Sequence, residues 1–170
     1  MQRRGLETGL TAGLLFATLG VVAWASGQAF VFPSLGPSAF VLAFASESER
    51  PRSTRVVGGH VIGAVAGLLA YSLLGAGTTL TAAPPAFSLT GLGLVASGFL
   101  SVVATSWGMV ATDTVHAPAC ATTLIVSLGL LSTPTEVGII VTSVVLLVVV
   151  NHVVRRASNW AVFDSEPAVQ

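Results

Sequence analysis

Of the chain's 170 residues, 53% are hydrophobic and only 8% charged, with a mean hydropathy of +0.87. Seven arginines and no lysine balance seven acidic residues, which argues against a nucleic-acid partner, and so apolar a chain is not disordered. The single cysteine, Cys120, excludes an intrachain disulfide framework and a multi-cysteine metal site. The chain therefore reads as an integral membrane protein with the lipid bilayer as its medium, one transmembrane domain over residues 1–170, and no cofactor.

A helix needs about 20 mostly apolar residues to cross the hydrocarbon core. Charge-free stretches run over Thr8–Phe32, Pro33–Ser46, Val56–Leu74, Leu89–Thr112, Ala117–Leu131 and Val137–Val150. This predicts an all-α fold of six membrane segments, of which the second and fifth are short and begin at Gly36-Pro37 and Ala117-Pro118. Arg3-Arg4, the following apolar run and Ala23-Trp24-Ala25 also fit a cleavable signal, but a mid-chain counterpart of this segment favours a retained span. Trp24, Trp107 and Trp160 fall near span ends and read as interfacial anchors; His152 reads likewise.

With six crossings and a cytoplasmic N-terminus, all seven arginines (Arg3, Arg4, Arg50, Arg52, Arg55, Arg155 and Arg156) lie on the inner side. That asymmetry sets the orientation, with both termini in the cytoplasm of a cell-membrane protein. Residues 19–46 lie over residues 100–127 at a constant offset of 81, pairing Gly27 with Gly108 and Pro37 with Pro118. Two repeats, about 8–74 and about 89–154, each hold three crossings, an odd number, so the second must be inverted relative to the first.

Proline suits a helix start because its missing N–H has no partner there. The next N–H groups (Ser38, Ala39 and Phe40; Ala119, Cys120 and Ala121) are expected to be free donors at the positive helix end. Two such starts meeting at the midplane would hold a small anion, with Gly36, Pro37, Ser38 and Ala39 from one and Ala117, Pro118, Ala119 and Cys120 from the other. Thr122 and Thr123 hydroxyls would help. The bland alternative is that the breaks only kink the bundle.

His116 opens the second break, and Asp113 stands three positions earlier, where a helical face would let it orient the imidazole. His116 with Asp113, and His60 after Gly58-Gly59, are the gating or proton-coupling candidates, since ionisable groups at membrane depth are functional by default. Against this, both histidines could sit at the interface, bonded to backbone. His60, His116, Asp113 and Cys120 lack a metal-ligand spacing, so no metal site is expected. The mixed-charge loop from Glu47 to Arg55 reads as a solvated inner face or an anion vestibule.

Three motifs, Leu35-Gly36-Pro37-Ser38-Ala39, Val57-Gly58-Gly59-His60, and His116-Ala117-Pro118-Ala119 with Thr122-Thr123, resemble the HPP family of integral membrane proteins. The likeness runs from about Gly9 to Val154; Ala117 replaces the middle proline of the His-Pro-Pro motif, and Cys120 stands where glycine is usual. Because plant chloroplast members are linked to nitrite transport, the resemblance implies a small-anion transporter or channel, nitrite first. A thin bundle rich in glycine predicts a homo-oligomer. The rival reading is a non-transport scaffold or sensor acting through the inner loop, and an enzyme is not expected.

Overall fold

The computed structural model describes residues 2–46 and 48–163, and the side chains of residues 5–46 and 48–157. Side chains of Arg3, Arg4, Glu47 and Trp160 lie outside that description. Six helices follow in order: α1 (Gln2–Ser26), α2 (Leu35–Phe44), α3 (Ser53–Ala70), α4 (Leu89–Ala111), α5 (Ala119–Ser127) and α6 (Pro134–Phe163). A π turn, Tyr71–Gly75, continues α3. Among the described residues, four stretches, Gly5–Ser26, Ser53–Gly75, Leu89–Ala111 and Pro134–Ala157, are long and apolar enough to cross a membrane.

The faces of α4 show which solvent this fold is built for. Its inward residues include Ser97, Ser101 and Thr105, whereas Leu92, Val95, Phe99, Val103, Trp107 and Val110 point outward. In water this would be an inside-out helix, because apolar surface would stay wet while hydroxyls were hidden. In lipid the outward face costs nothing, and the inward hydroxyls find partners. Trp24 and Trp107 are likewise exposed.

Helix ends are set by local chemistry. Before α6, Thr133 and Glu136 form a reciprocal capping box: Glu136 accepts from the Thr133 N–H at 2.9 Å, and the Thr133 hydroxyl accepts from the Glu136 N–H at 3.3 Å. Pro134 occupies the first helical position. A count of uncharged residues starts this span too late because it treats Glu136 as a boundary rather than a cap.

At the other ends, α4 and α5 close with the same Schellman geometry. Thr114 N–H donates to Met109 O (2.9 Å) and Asp113 N–H to Val110 O (3.4 Å); Leu130 N–H donates to Ile125 O (3.0 Å) and Gly129 N–H to Val126 O (3.1 Å). The residue in the left-handed region is Gly129 after α5 (φ 78°) but Asp113 after α4 (φ 53°).

Helices α2 and α5, with 10 and 9 residues, are only about 14–15 Å long at 1.5 Å per residue. The fifth segment nevertheless traverses the length of α3. At one end Asp113 pairs with Arg55 at the start of α3; at the other, a Cβ on Gly129 would meet Thr78 O (2.5 Å) and Tyr71 Cε2 (2.8 Å), just beyond it. An extended approach followed by a short helix achieves this, because extended chain covers about twice the distance per residue. The carbonyl of Leu42, at the α2 end, accepts from Arg155 near the end of α6. That α6 end, Asn151 and His152, shares a cavity with Arg50, Arg52 and Ser53. Hence α2 runs towards the arginine-bearing end, α5 runs away from it, and the two starts overlap.

The offset of 81 does not bring these starts into register. Pro37 lies inside the first turn of α2 and Pro118 just before α5, so the first helical residues, Leu35 and Ala119, are 84 positions apart. In this register Ser38 corresponds to Thr122.

The fifth segment packs on α3 through glycines at every fourth position, its approach on Gly59 and helix α5 on Gly63 and Gly67. A Cβ at Gly63 would lie 2.6 Å from Thr123 Oγ1 and 2.8 Å from Ala119 O; one at Gly67 would lie 2.7 Å from Thr123 O. Backbone meets backbone here, the close approach that small residues permit in membranes. Leu15 and Leu19 of α1, Leu35 and Leu42 of α2, Val56 and Ala64 of α3, and Ile140, Val144 and Leu147 of α6 form the apolar core beside this contact.

Candidate functional site

Where α2, α3 and α5 cross, a chain of buried polar side chains spans the three. Ser34 Oγ lies 2.7 Å from Thr122 Oγ1, which lies 2.6 Å from His60 Nδ1. The opposite ring nitrogen, His60 Nε2, is 3.0 Å from Ser38 Oγ, and His116 Nε2 reaches the same oxygen at 3.2 Å. Nearby, Thr105 of α4 bonds Thr123 of α5 at 2.8 Å.

Counting protons orders the network. The Ser34 carbonyl can only accept, and it takes the one hydroxyl proton of Ser38 at 3.0 Å. Both imidazoles must then donate Nε2–H to Ser38 Oγ. His60 Nδ1 is left as an acceptor for the Thr122 hydroxyl, which accepts in turn from Ser34. Each proton has one destination, which favours a single arrangement.

Local sequence explains how the rings reach one oxygen. A Cβ at Gly59 would lie 3.0 Å from Thr114 O and 3.1 Å from His116 Cβ, and one at Gly58 would lie 2.8 Å from Thr114 Cγ2. Glycine at both positions lets the approach to α5 lie flat on α3. His60 is therefore buried in the protein and bonded on both ring edges, to side chains rather than to backbone.

Above His116 opens a cavity of about 520 Å³ lined by Arg50, Arg52, Arg55, Glu49, Ala117 and Pro118, among others. Arg50 Nε is buried and has no hydrogen-bond partner among the described residues, an omission that costs about 1–3 kcal/mol for an ordinary buried donor. The loop is thus not merely a solvated face.

Two expectations change. The helix starts do not offer free donors: Ala119, Cys120 and Ala121 N–H groups bond His116, Ala117 and Pro118 carbonyls at 2.9, 3.1 and 3.1 Å, and Ser38 N–H bonds Ser34 O at 3.4 Å. A tight first turn uses donors that a plain α-helix would leave open. Asp113 does not orient His116 either. Helix α4 ends at Ala111, so three-residue helical spacing does not apply. The Asp113 carboxylate instead straddles Arg55 Nη2 at 2.7 and 2.8 Å, while Arg55 Nε donates to its backbone carbonyl at 3.2 Å. The bonded guanidinium first, then its charge with that of Arg52, holds this exposed carboxyl below its usual 3.8.

Of the other named positions, Ser38 and Ala39 are buried, Gly36 and Pro37 face outward, Ala117 and Pro118 line the cavity, and Cys120 is half-buried. Ser34 and Thr105 escaped the sequence reading, as isolated hydroxyls in apolar chain do. The Gly59, Gly63, Gly67 spacing was a visible signal that α3 receives a neighbour closely.

No curated protein and no solved structure matches the chain. The model of the HPP transmembrane region matches residues 3–162. The three motifs that carry the resemblance converge on His60 in space, and with a match of that extent the chain belongs to the HPP transmembrane family.

Proposed function

We propose that this multi-pass membrane protein is a transporter or channel for a small inorganic anion, with nitrite the leading candidate. The observation that carries the reading is the buried Ser38 hydroxyl shared by His60 and His116, set between two short helices and below an arginine-lined cavity. With backbone donors already used, the ion would meet side-chain donors: arginines first, then the Nε2–H edges of His116 and His60 as Ser38 rotates away. Ser38 and Ala39 of α2, with Ala117 and Pro118 ahead of α5, would bound this passage, while Gly36 and Pro37 face away from it. Neutral donors hold an anion weakly enough to release it, which conduction requires.

The opposite directions of α2 and α5 support an inverted repeat with its site at the repeat interface. Arginines gathered at one end support a cytoplasmic location for that end and both termini, in the cell membrane. The outward apolar face of α4 is compatible with lipid or with further copies in a homo-oligomer.

The test is flux into proteoliposomes, comparing nitrite, nitrate, formate and chloride with and without a pH gradient. Selective uptake lost in His116→Ala protein that remains folded would support the reading. No flux of any of these anions from inserted wild-type protein would overturn it in favour of a scaffold or sensor acting through the arginine loop.

A further inference from the structure

We propose that the arginine-lined cavity is the docking site for a planar two-oxygen anion, and that Asp113 is a resident carboxylate occupying Arg55 as such an anion would. The inference rests on the anion reading above and narrows it to a shape class and an entry site.

The backbone at Asp113 supplies the first argument. Its turn matches the one after α5, where glycine stands at the left-handed position. Glycine adopts that conformation without steric cost, while aspartate only tolerates it. The turn therefore does not explain the aspartate; its carboxylate, placed on Arg55 Nη2 at 2.7 and 2.8 Å, does. Two oxygens straddling one guanidinium nitrogen is the contact that nitrite or formate would make, and a spherical halide supplies only one acceptor.

The cavity supplies the second argument. Three guanidiniums line it, of which Arg55 is already paired with Asp113, against one lining carboxylate among the described residues, Glu49, whose Oε2 accepts from the Ser46 hydroxyl at 2.7 Å. Arg50 lines the cavity, and its Nε–H is buried with no partner among the described residues, so turning this side chain onto a docked anion would give it an acceptor it otherwise lacks. About 520 Å³ admits the anion together with on the order of a dozen waters, at ~30 Å³ each. The ion can therefore arrive hydrated. His116 also lines this space and touches Ser38, so the docked anion stands one side chain from the buried network.

Binding of radiolabelled formate to the full chain in nanodiscs, read by scintillation proximity, tests this separately from flux. Wild-type protein should bind formate, and nitrite should displace it at lower concentration than chloride. Asp113→Gly, which keeps the turn and frees Arg55, should bind about tenfold tighter, and Asp113→Asn should shift in the same direction; Arg50→Gln should bind about tenfold weaker, one such step being ~1.4 kcal/mol. Unchanged affinity in folded Asp113→Gly, Asp113→Asn and Arg50→Gln proteins would overturn the docking site, whatever the flux. Equal displacement by chloride would overturn the two-oxygen preference. Formate binding with the expected variant shifts but no flux of any anion would retain the docking site and remove the transport reading.

Discussion

His60 and His116, from a long helix and from an extended approach, share one acceptor, the Ser38 hydroxyl, with their ring centroids 5.3 Å apart and the planes tilted by 57°. Neither ring touches the other through a hydrogen bond of its own. Any movement of α2 that carries Ser38 away releases both donors together, which gives the site two arrangements rather than a graded series.

Ser38→Ala removes that acceptor and leaves two buried N–H groups unpaired. Each unsatisfied donor costs about 1–3 kcal/mol, so the variant should unfold at lower temperature in detergent. With Ser38 no longer occupying the two Nε2–H edges, its anion flux should rise roughly tenfold, the factor set by ~1.4 kcal/mol on a barrier. Wild-type flux in Ser38→Ala would remove the shared hydroxyl from the pathway.

The proton order has a spectroscopic signature. Nitrogen NMR of labelled protein in a bilayer at neutral pH should place the proton of His60 on Nε2, with Nδ1 accepting from Thr122. His116 should likewise be protonated on Nε2. A proton on His60 Nδ1 alone would reverse the order and make Thr122 an acceptor from the ring.

Gly63→Ala places a methyl 2.8 Å from the Ala119 carbonyl and 2.6 Å from Thr123 Oγ1. The carbonyl belongs to the α5 backbone and cannot swing aside, so overpacking should cost about 1–3 kcal/mol. Gly20→Ala, with nothing within 4 Å of its Cβ, is the matched control and should be neutral or slightly stabilising, since alanine is the better helix former. Comparable thermal stability in the two variants would show that α5 does not sit against the α3 glycines.

The Asp113–Arg55 pair should be insensitive to pH over the range where transport is measured. A carboxyl with a lowered folded pKa contributes above its unfolded value of 3.8 and loses that contribution as pH falls through the still lower folded value. The stability difference between wild type and Asp113→Asn should therefore stay constant from about pH 8 to 5 and shrink only in stronger acid. Because the carboxylate is exposed, the difference should also decrease with added salt. Loss of the difference near pH 6 would point to a different titrating partner.

Spans were legible wherever a helix is bounded by charge or proline: Leu89–Thr112 against the observed Leu89–Ala111 is nearly the same element. The short second and fifth helices were legible too, although α2 begins at Leu35 rather than at Gly36-Pro37, and α5 at Ala119 rather than at Ala117-Pro118. What escaped was three-dimensional. His60 reads in sequence as either a gating candidate or an interface residue, and its burial depends on Gly58-Gly59, which let the approach to α5 fold across it. Asp113 looked like a partner for His116 because helical spacing was extended past a helix end. Ser34 is one serine among many until α2 is laid against α5. Isolated hydroxyls carry no periodic signal, yet Ser34, Ser38 and Thr122 supply three of the network's five side chains.

The hidden hydroxyls of α4 also bear on the order in which the chain assembles. Ser101 donates back to Gly98 O at 2.8 Å even in the finished protein, while Ser97 and Thr105 reach across to Ser127 O and Thr123, also at 2.8 Å. A lone α4 entering lipid before α5 has been synthesised can turn all three hydroxyls onto its own carbonyls, as serine and threonine do within helices. No hydroxyl of α4 then waits exposed for a later segment. Exchanging a local bond for a cross-helix one gains little, so the decisive step of assembly is the seating of α5 on the α3 glycines. A newborn chain halted before that step would be a stable, inserted intermediate rather than a misfolded one.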